Sequence, residues 1–476
     1  MHIYFLGICG TAMGNAALLM RSLGHTISGA DTGAYPPMST ALHTAGVRVL
    51  EGWDAARLSA LAPDLVVIGN ATSRGNPEIE ELLETRRTPC VSLPELLRTQ
   101  LLNRRRNLVV GGTHGKTTTT CLAAMLLRAA GADTGWLVGG IPRDLPSGAA
   151  AGVDGGPFVI EGDEYDSAFF DKRGKLIQYL PTVLALNNAE FDHADIFRDL
   201  DDVLRTFAHA TRVVPRNGAI VANGDDAALA RILADVTWCP VIRVGTGPDN
   251  DARITHFAEG ADGARFTLAW RGTPWGSIHW APPGLFNARN AAIAATAAAT
   301  LLHPATPAAL PLAALAAFQG VRRRQEQLLD TPALTVLEDF AHHPTALALT
   351  LASLRQRHPR HHIHAAFEPR SNTTTRSLMQ SALVDALAHA DSIWLAPVHS
   401  AQKLPPGERL DTHAMARELG LRGRRAHAAD SHEALLDALR KATTTAAATQ
   451  TPQLVVFFTN GAFGGIIPRF ATAPQT

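Results

Sequence analysis

Short β-branched runs alternate along most of the chain with amphipathic stretches of helical period, the pattern of parallel strands joined by crossover helices. His2-Ile-Tyr-Phe-Leu6 predicts an opening strand, followed by a glycine turn and an apolar helix to about Leu23. Strands near Thr26–Ala30 and Asp64–Gly69 and a helix near Leu93–Leu102 complete a first block. The basic junction Asn103-Arg-Arg-Arg-Asn107 separates it from a strand–turn–helix that begins Leu108-Val-Val-Gly-Gly112. In the second block, alternation from about Ala252 to Ala281 predicts antiparallel strands, and the alanine-rich Asn287–Leu301 predicts a helix that packs closely. A third strand–helix–strand block follows Arg322-Arg-Arg-Gln-Glu326. The fold class expected is α/β in three domains, 1–103, 104–322 and 323–476. The alanine tract and Lys441–Thr449, read as a helix end and a loop, are the low-complexity segments.

Composition narrows the class. A chain of 476 residues, 46% apolar and 18% charged, is globular rather than disordered. Its 43 basic and 43 acidic residues cancel, so no global charge draws it to nucleic acid or an anionic membrane. The four cysteines (Cys9, Cys90, Cys121, Cys239) lie far apart and read as small buried residues in a reducing compartment. With no signal peptide expected and no apolar run of the ~18 residues a span needs, a cytoplasmic protein is expected. Lys116, Lys172, Lys175, Lys403 and Lys441 are the chain's lysines, so each repays inspection.

Gly111-Gly-Thr-His-Gly-Lys-Thr-Thr118 stands between a predicted strand and helix, where a phosphate loop belongs. Glycines let backbone N–H groups converge on phosphate oxygens, and the helix N-terminus adds its positive end. Lys116 is placed to bridge β- and γ-phosphates and Thr117 to ligate Mg2+, although Val110 replaces the motif's first glycine. A tight helix-start turn with a surface lysine is the plainer alternative.

Glu161-Gly-Asp-Glu-Tyr-Asp166 follows the apolar strand Pro157–Ile160. Four carboxylates in six residues repel unless something compensates them. Strand C-termini in α/β sheets receive ligands, so Mg2+ competes here with a solvated acidic loop. The strand Thr182–Leu186 leads into Asn187-Asn-Ala-Glu-Phe-Asp-His-Ala-Asp195, where His193 alone reads as a hydrogen-bonded structural histidine.

Gly-Thr-His-Gly-Lys-Thr-Thr resembles the phosphate loop of the Mur ligases, ATP-dependent amide-bond ligases that build the peptidoglycan peptide on a UDP-linked muramic acid. The resemblance runs along the whole chain. It implies a Rossmann-like UDP-binding domain, a central P-loop ATPase-like domain with a mostly parallel sheet, and a C-terminal Rossmann-like domain. ATP and Mg2+ are the implied cofactors. The ATP residues it implies are Gly112, Thr113, His114, Gly115, Lys116, Thr117 and Thr118, with Asn287 and Asn290 near adenine, Arg324 at the hinge and Asp339 on the ribose. Helix capping by the asparagines and a solvated basic turn at Arg324 are the competing explanations. Thr117, Glu164 and His193 become metal ligands by the same resemblance, and Lys116, Glu164, His193 and His343 the catalytic set.

Gly7-Ile-Cys-Gly-Thr-Ala-Met-Gly14 lacks the dinucleotide spacing G-x-G-x-x-G, which argues against a nicotinamide site. It resembles the family's UDP-binding turn, implying Gly7, Gly10, Thr11, Gly14 and Asp31, with Asn70 and Ser73 in a second substrate loop. Some Mur ligases carry a carbamoylated lysine beyond the metal histidine. No lysine occurs between Lys175 and Lys403, which points to the branch acting directly on muramic acid. Within it, the segments Glu161–Arg173, Phe367-Glu-Pro-Arg-Ser-Asn-Thr373 and Asn460-Gly-Ala-Phe-Gly-Gly465 resemble the member that accepts a peptide. The implied partners are UDP-N-acetylmuramate and the murein tripeptide L-Ala-γ-D-Glu-meso-diaminopimelate, in peptidoglycan recycling. Arg370, Ser371 and Asn372 are the acceptor candidates, with Asn372 alternatively a helix cap, and free L-alanine is the alternative acceptor. A monomer or weak homodimer is expected. The histidines of His358-Pro-Arg-His-His-Ile-His364 span a helix end and a strand start, too divergent for a metal site.

Overall fold

Leu108, Val109 and Val110 are fully buried on both faces, as a strand in the middle of a parallel sheet must be. Their strand, Arg106–Gly111, is the pivot of the molecule. It lies between the parallel strands Pro157–Glu161 and Pro181–Leu186 of a ten-stranded sheet. Three loops therefore leave the same sheet edge side by side: the phosphate loop, the acidic loop after Glu161 and the Asn187–Asp195 loop. The computed structural model describes residues 1–34, 38–447 and 451–472.

The first sheet is five-stranded and parallel, in the order Arg48–Glu51, Thr26–Asp31, His2–Leu6, Leu65–Ile68, Cys90–Ser92. Strand order reverses about His2–Leu6, which puts a ligand crevice at its C-terminal end, beside Gly7 and the helix Thr11–Ser22. The middle sheet is parallel around its pivot and is extended by the antiparallel strands Ala252–Gly260, Gly263–Trp270 and Thr273–Trp280, where alternation predicted them. The helix Leu285–Leu302 presents Ala288, Ala291, Ala292, Ala295 and Ala299, all fully buried, and packs on the phosphate-loop helix Lys116–Ala129.

The third sheet runs Glu326–Asp330, Leu334–Asp339, Gln453–Phe458, His362–Phe367, Ser392–Leu395, Arg425–Ala428. Its first strand is antiparallel and has no counterpart among the predicted strands. Glu326-Gln-Leu-Leu-Asp330 is a half-exposed edge and lacks the apolar run that marks an interior strand. The hinge before it bends through Arg323 and Gln325, both left-handed at φ +61° and +50°.

Lys441–Ala447 continues the helix His432–Ala447, while the loop expected for the rest of that tract lies outside the described residues. Among the cysteines only Cys121 is fully buried; Cys9, Cys90 and Cys239 are half-buried, and none of the four is in a disulfide. Cys9 is kept partly open because it lines a cavity. Among the described residues no helix is long and apolar enough to cross a membrane.

Candidate active site

One cavity of about 1850 Å³ lies where the three sheets meet, lined from the first domain by Thr11 and from the third by Arg370. The phosphate loop forms its floor. Gly112 and Gly115 take φ +131° and +79°, and a Cβ on Gly115 would stand 2.4 Å from Asn290 Oδ1, so neither position accommodates another residue without strain. Asn187 holds the loop from below: its amide nitrogen donates to the His114 carbonyl (3.2 Å), Thr119 Oγ1 (2.9 Å) and Asn290 Oδ1 (3.3 Å). Asn290 is thus a strut for the loop, and the N-cap position of its helix is Gly284. Asn287 donates back to the Pro283 carbonyl at 2.7 Å.

The acidic loop supplies the countercharge. Lys116 Nζ donates to the Gly112 carbonyl and to Glu164 Oε2, both at 2.8 Å, with Asp163 Oδ1 at 3.9 Å. Burial works against the ammonium, but Glu164 and then Asp163 outweigh it and hold the lysine pKa above its usual value. The Asp163 carboxyl is itself opposed by burial and nonetheless drawn down to about 2 by Lys175 and Lys116. Lys175 donates to Asp163 at 2.9 Å and stacks over Tyr165, its ammonium 4.0 Å from the ring centre. The Thr117 hydroxyl donates to Glu161 Oε2 (3.0 Å), whose other oxygen accepts from the Gly139 N–H (2.6 Å).

Glu164 Oε1 is buried without a hydrogen-bond partner, 3.4 Å from His193 Nε2. His193 is held in the left-handed region at φ +54°, a strained placement of the kind found where function fixes a side chain. The orphaned carboxylate oxygen offers the hard oxygen donor that Mg2+ prefers, with the His193 imidazole beside it and the Thr117 hydroxyl, engaged by Glu161, lining the same cavity.

The hinge closes the cavity from the third domain. Arg324 extends over the Phe340 ring and reaches Thr117 Oγ1 at 3.5 Å. Asp339 is buried and its carboxylate accepts from the N–H groups of Gln325 (2.9 Å) and Ala341 (2.6 Å), so it braces the hinge while lining the cavity. His343 caps the helix Pro344–Arg357, with Pro344 at N1, where its missing N–H costs nothing. Its Nε2 faces the Phe191 carbonyl at 3.1 Å. Burial, reinforced by the neighbouring His114, pushes the His343 pKa down to about 4, so it is neutral at ordinary pH.

At the far end, Arg370 Nη1 lies 3.3 Å from His399 Nδ1 and 3.7 Å from the buried Glu368. Asn372 donates to Asp195 (2.7 Å), tying its loop to the middle domain instead of capping a helix. Ser371 organises the turn, its Oγ accepting from the Thr374 N–H. Of the first-domain candidates, Thr11 lines the cavity. Gly7 and Gly10 form the turn below it, and Gly14 takes Met38 against its backbone. Asp31 accepts from the N–H groups of Cys9 (2.9 Å) and Gly33 (3.0 Å). Asn70 and Ser73 are exposed on the loop after Leu65–Ile68 and do not line the cavity. Sequence reasoning assigned no individual role to Glu161, Asn187 or Glu190. Their position at or just beyond a strand's C-terminal end was the available signal. The histidine run at 358–364 is not a metal cluster: His364 bonds Gln453 and Trp394, while His362 bonds Ser392.

Residues 110–298 match the Mur ligase middle domain, residues 2–105 the Mur ligase family catalytic domain, and residues 323–457 the Mur ligase glutamate ligase domain. The chain is 41% identical over 402 residues, 84% of its length and 86% of the relative's, to UDP-N-acetylmuramate–L-alanyl-γ-D-glutamyl-meso-2,6-diaminoheptandioate ligase of Escherichia coli. It is 33% identical over 415 residues, 85% of each chain, to UDP-N-acetylmuramate–L-alanine ligase of Acidithiobacillus ferrooxidans. The crystal structure of a murein peptide ligase from Psychrobacter arcticus superposes with a TM-score of 0.73 at 35% identity, covering 100% of this chain and 99% of that one.

Proposed function

The chain belongs to the Mur ligase family, and we propose that it joins the tripeptide L-Ala-γ-D-Glu-meso-diaminopimelate to UDP-N-acetylmuramate at the expense of ATP, in peptidoglycan recycling. The observation that carries the reading is the single cavity running from Thr11 past Lys116 and His193 to Arg370, which gives a sugar nucleotide, ATP and a peptide one meeting place. The greater identity to the tripeptide ligase, 41% against 33%, favours the peptide over free L-alanine as acceptor.

A carboxylate is a poor electrophile, so the muramoyl carboxylate oxygen first takes the γ-phosphoryl of ATP, and ADP leaves. The peptide's free amine then attacks the carbonyl carbon of the acyl phosphate, loses a proton, and inorganic phosphate departs as the amide forms. The backbone N–H groups of Gly112–Thr118 cradle the phosphates, and Lys116 follows the charge that gathers on the transferred group. Thr117, Glu164 and His193 would hold Mg2+, which when bound neutralises phosphoryl oxygens and orients them for in-line transfer. Arg324, laid across Phe340 toward Thr117, adds a fixed cation from the hinge. On this reading Asn287 and Asn290 would border the adenine, Thr11 and the Gly7–Gly14 turn the UDP moiety, and Arg370 the acceptor. Domain closure excludes water from the acyl phosphate.

Coupled ADP release with an acceptor panel tests the proposal. Stimulation by UDP-N-acetylmuramate plus tripeptide, and weak response to L-alanine, is the expected result. Stimulation by L-alanine alone transfers the chain to the alternative acceptor, and ADP release indifferent to the sugar nucleotide overturns both.

A further inference from the structure

Away from the Glu164–His193 pair, the cavity wall holds a second donor cluster with a different chemistry. His114 comes from the phosphate loop, Glu190 from the loop after Pro181–Leu186, and His343 from the N-cap of a third-domain helix. One donor atom from each lies within 4.8 Å of the other two. Glu190 Oε2 is 3.2 Å from His343 Nδ1 and 3.7 Å from His114 Nε2. A tetrahedral ion with bonds of about 2.0–2.1 Å separates its ligand atoms by about 3.3 Å, so Glu190 already stands near ligand spacing from both histidines, and the two imidazoles, whose ring centres are 4.6 Å apart, must turn toward each other to close the set.

The surroundings are those of a ligand set. His343 has its far nitrogen on the Phe191 carbonyl, the arrangement that leaves Nδ1 as the free lone pair and orients a metal-binding imidazole. That lone pair otherwise meets only the long contact from the Thr345 N–H at 3.4 Å. His114 Nε2 is buried and has no hydrogen-bond partner. Glu190 is fixed by Thr345 Oγ1 on its carboxylate (2.5 Å) and by Thr113 Oγ1 on its backbone N–H (2.9 Å), and the His114 backbone N–H donates to Asn188 Oδ1 (2.8 Å). All three residues line the cavity, so a fourth position opens toward substrate or water.

We infer that His114, Glu190 and His343 form a site for a borderline divalent transition metal of the Zn2+ or Co2+ class, separate from the Mg2+ ligands. A set with two imidazoles and one carboxylate favours such an ion, whereas Mg2+ prefers a set dominated by oxygen, such as Thr117 and Glu164 with the one imidazole of His193. Because His343 belongs to the third domain and His114 to the phosphate loop, the bound ion clasps the third domain onto the ATP site.

The test is titration of the chelator-treated full-length protein with Co2+ in excess Mg2+, followed by visible absorption. One tight equivalent with the intense bands of four-coordinate Co2+, displaced by Zn2+, is expected. His114→Ala and His343→Ala each weaken it about 100-fold or more, while His193→Ala and Glu164→Gln retain it. X-ray absorption of the unmutated protein loaded with Zn2+ shows two imidazoles in the coordination shell, a readout independent of how the variants fold. Absence of a tight equivalent, its survival in His114→Ala, its loss in His193→Ala, or a shell without two imidazoles overturns the assignment.

Discussion

Glu164→Gln is the most informative single change at the phosphate site, because it alters charge at almost constant shape. Glu164 is 2% exposed and stands between Lys116 Nζ at 2.8 Å and His193 Nε2 at 3.4 Å. At an effective dielectric of about 20 the Lys116–Glu164 attraction is about 6 kcal/mol, and Asp163 at 3.9 Å retains about 4 kcal/mol for the lysine. The neutral amide also recovers the carboxylate's desolvation, so the net loss of stability is about 2 kcal/mol, below the ~3–5 kcal/mol of a wholly stranded buried charge. The catalytic loss is larger. Without the orphaned oxygen the proposed Mg2+ site would lose a ligand, and ~3 kcal/mol of phosphoryl-transfer stabilisation corresponds to a fall in kcat of about 100-fold. The assay is coupled ADP release with UDP-N-acetylmuramate and tripeptide over a Mg2+ series, alongside urea unfolding. A kcat within threefold of the parent enzyme with an unchanged Mg2+ dependence would refute the reasoning. So would a stability loss equal to that of Lys116→Ala with no catalytic effect.

Gly115→Ala forces a left-handed alanine against Asn290 and costs about 2 kcal/mol in urea unfolding; it raises the KM for ATP at least tenfold in the ADP assay. Arg370→Ala raises the KM for tripeptide and leaves that for ATP near the parent value; equal changes in both would remove Arg370 from the acceptor site. His364, buried with one ring nitrogen toward Gln453 and the other accepting from Trp394, has its pKa lowered to about 4 chiefly by burial. The unfolded chain then takes up a proton first as pH falls, so stability is full above pH ~6.5 and declines by about 3 kcal/mol toward pH ~4. His364→Gln flattens that part of the stability–pH curve; an unchanged slope refutes the assignment.

The alternation of the middle sheet and the strand–glycine–helix at Gly111–Lys116 were legible because parallel sheets repeat a simple grammar of apolar run, turn and amphipathic helix. Glu326–Asp330 escaped because an edge strand buries one side at most. The contact between the asparagines under the loop escaped for another reason. Asn187 and Asn290 meet across 103 positions of sequence, and nothing local distinguishes a strut under a loop from a helix cap. Asp339 shows a similar limit: a carboxylate at a strand end was legible, but its two backbone partners come from its own turn and from a hinge whose left-handed residues are arginine and glutamine. Glu190 and His343 became neighbours only once the third sheet was in place.

The Arg324 guanidinium is carried by the hinge yet ends beside the hydroxyl of the phosphate loop. Nucleotide occupancy and domain posture therefore share one contact and must obey thermodynamic reciprocity: whatever factor closure adds to ATP affinity, ATP adds to closure. A peptide that draws the third domain inward is then a heterotropic activator of nucleotide binding, and the nucleotide an activator of peptide binding, by the same ratio. Shortening Arg324 to lysine removes this contact and lowers the shared factor, so each substrate then gains less from the presence of the other.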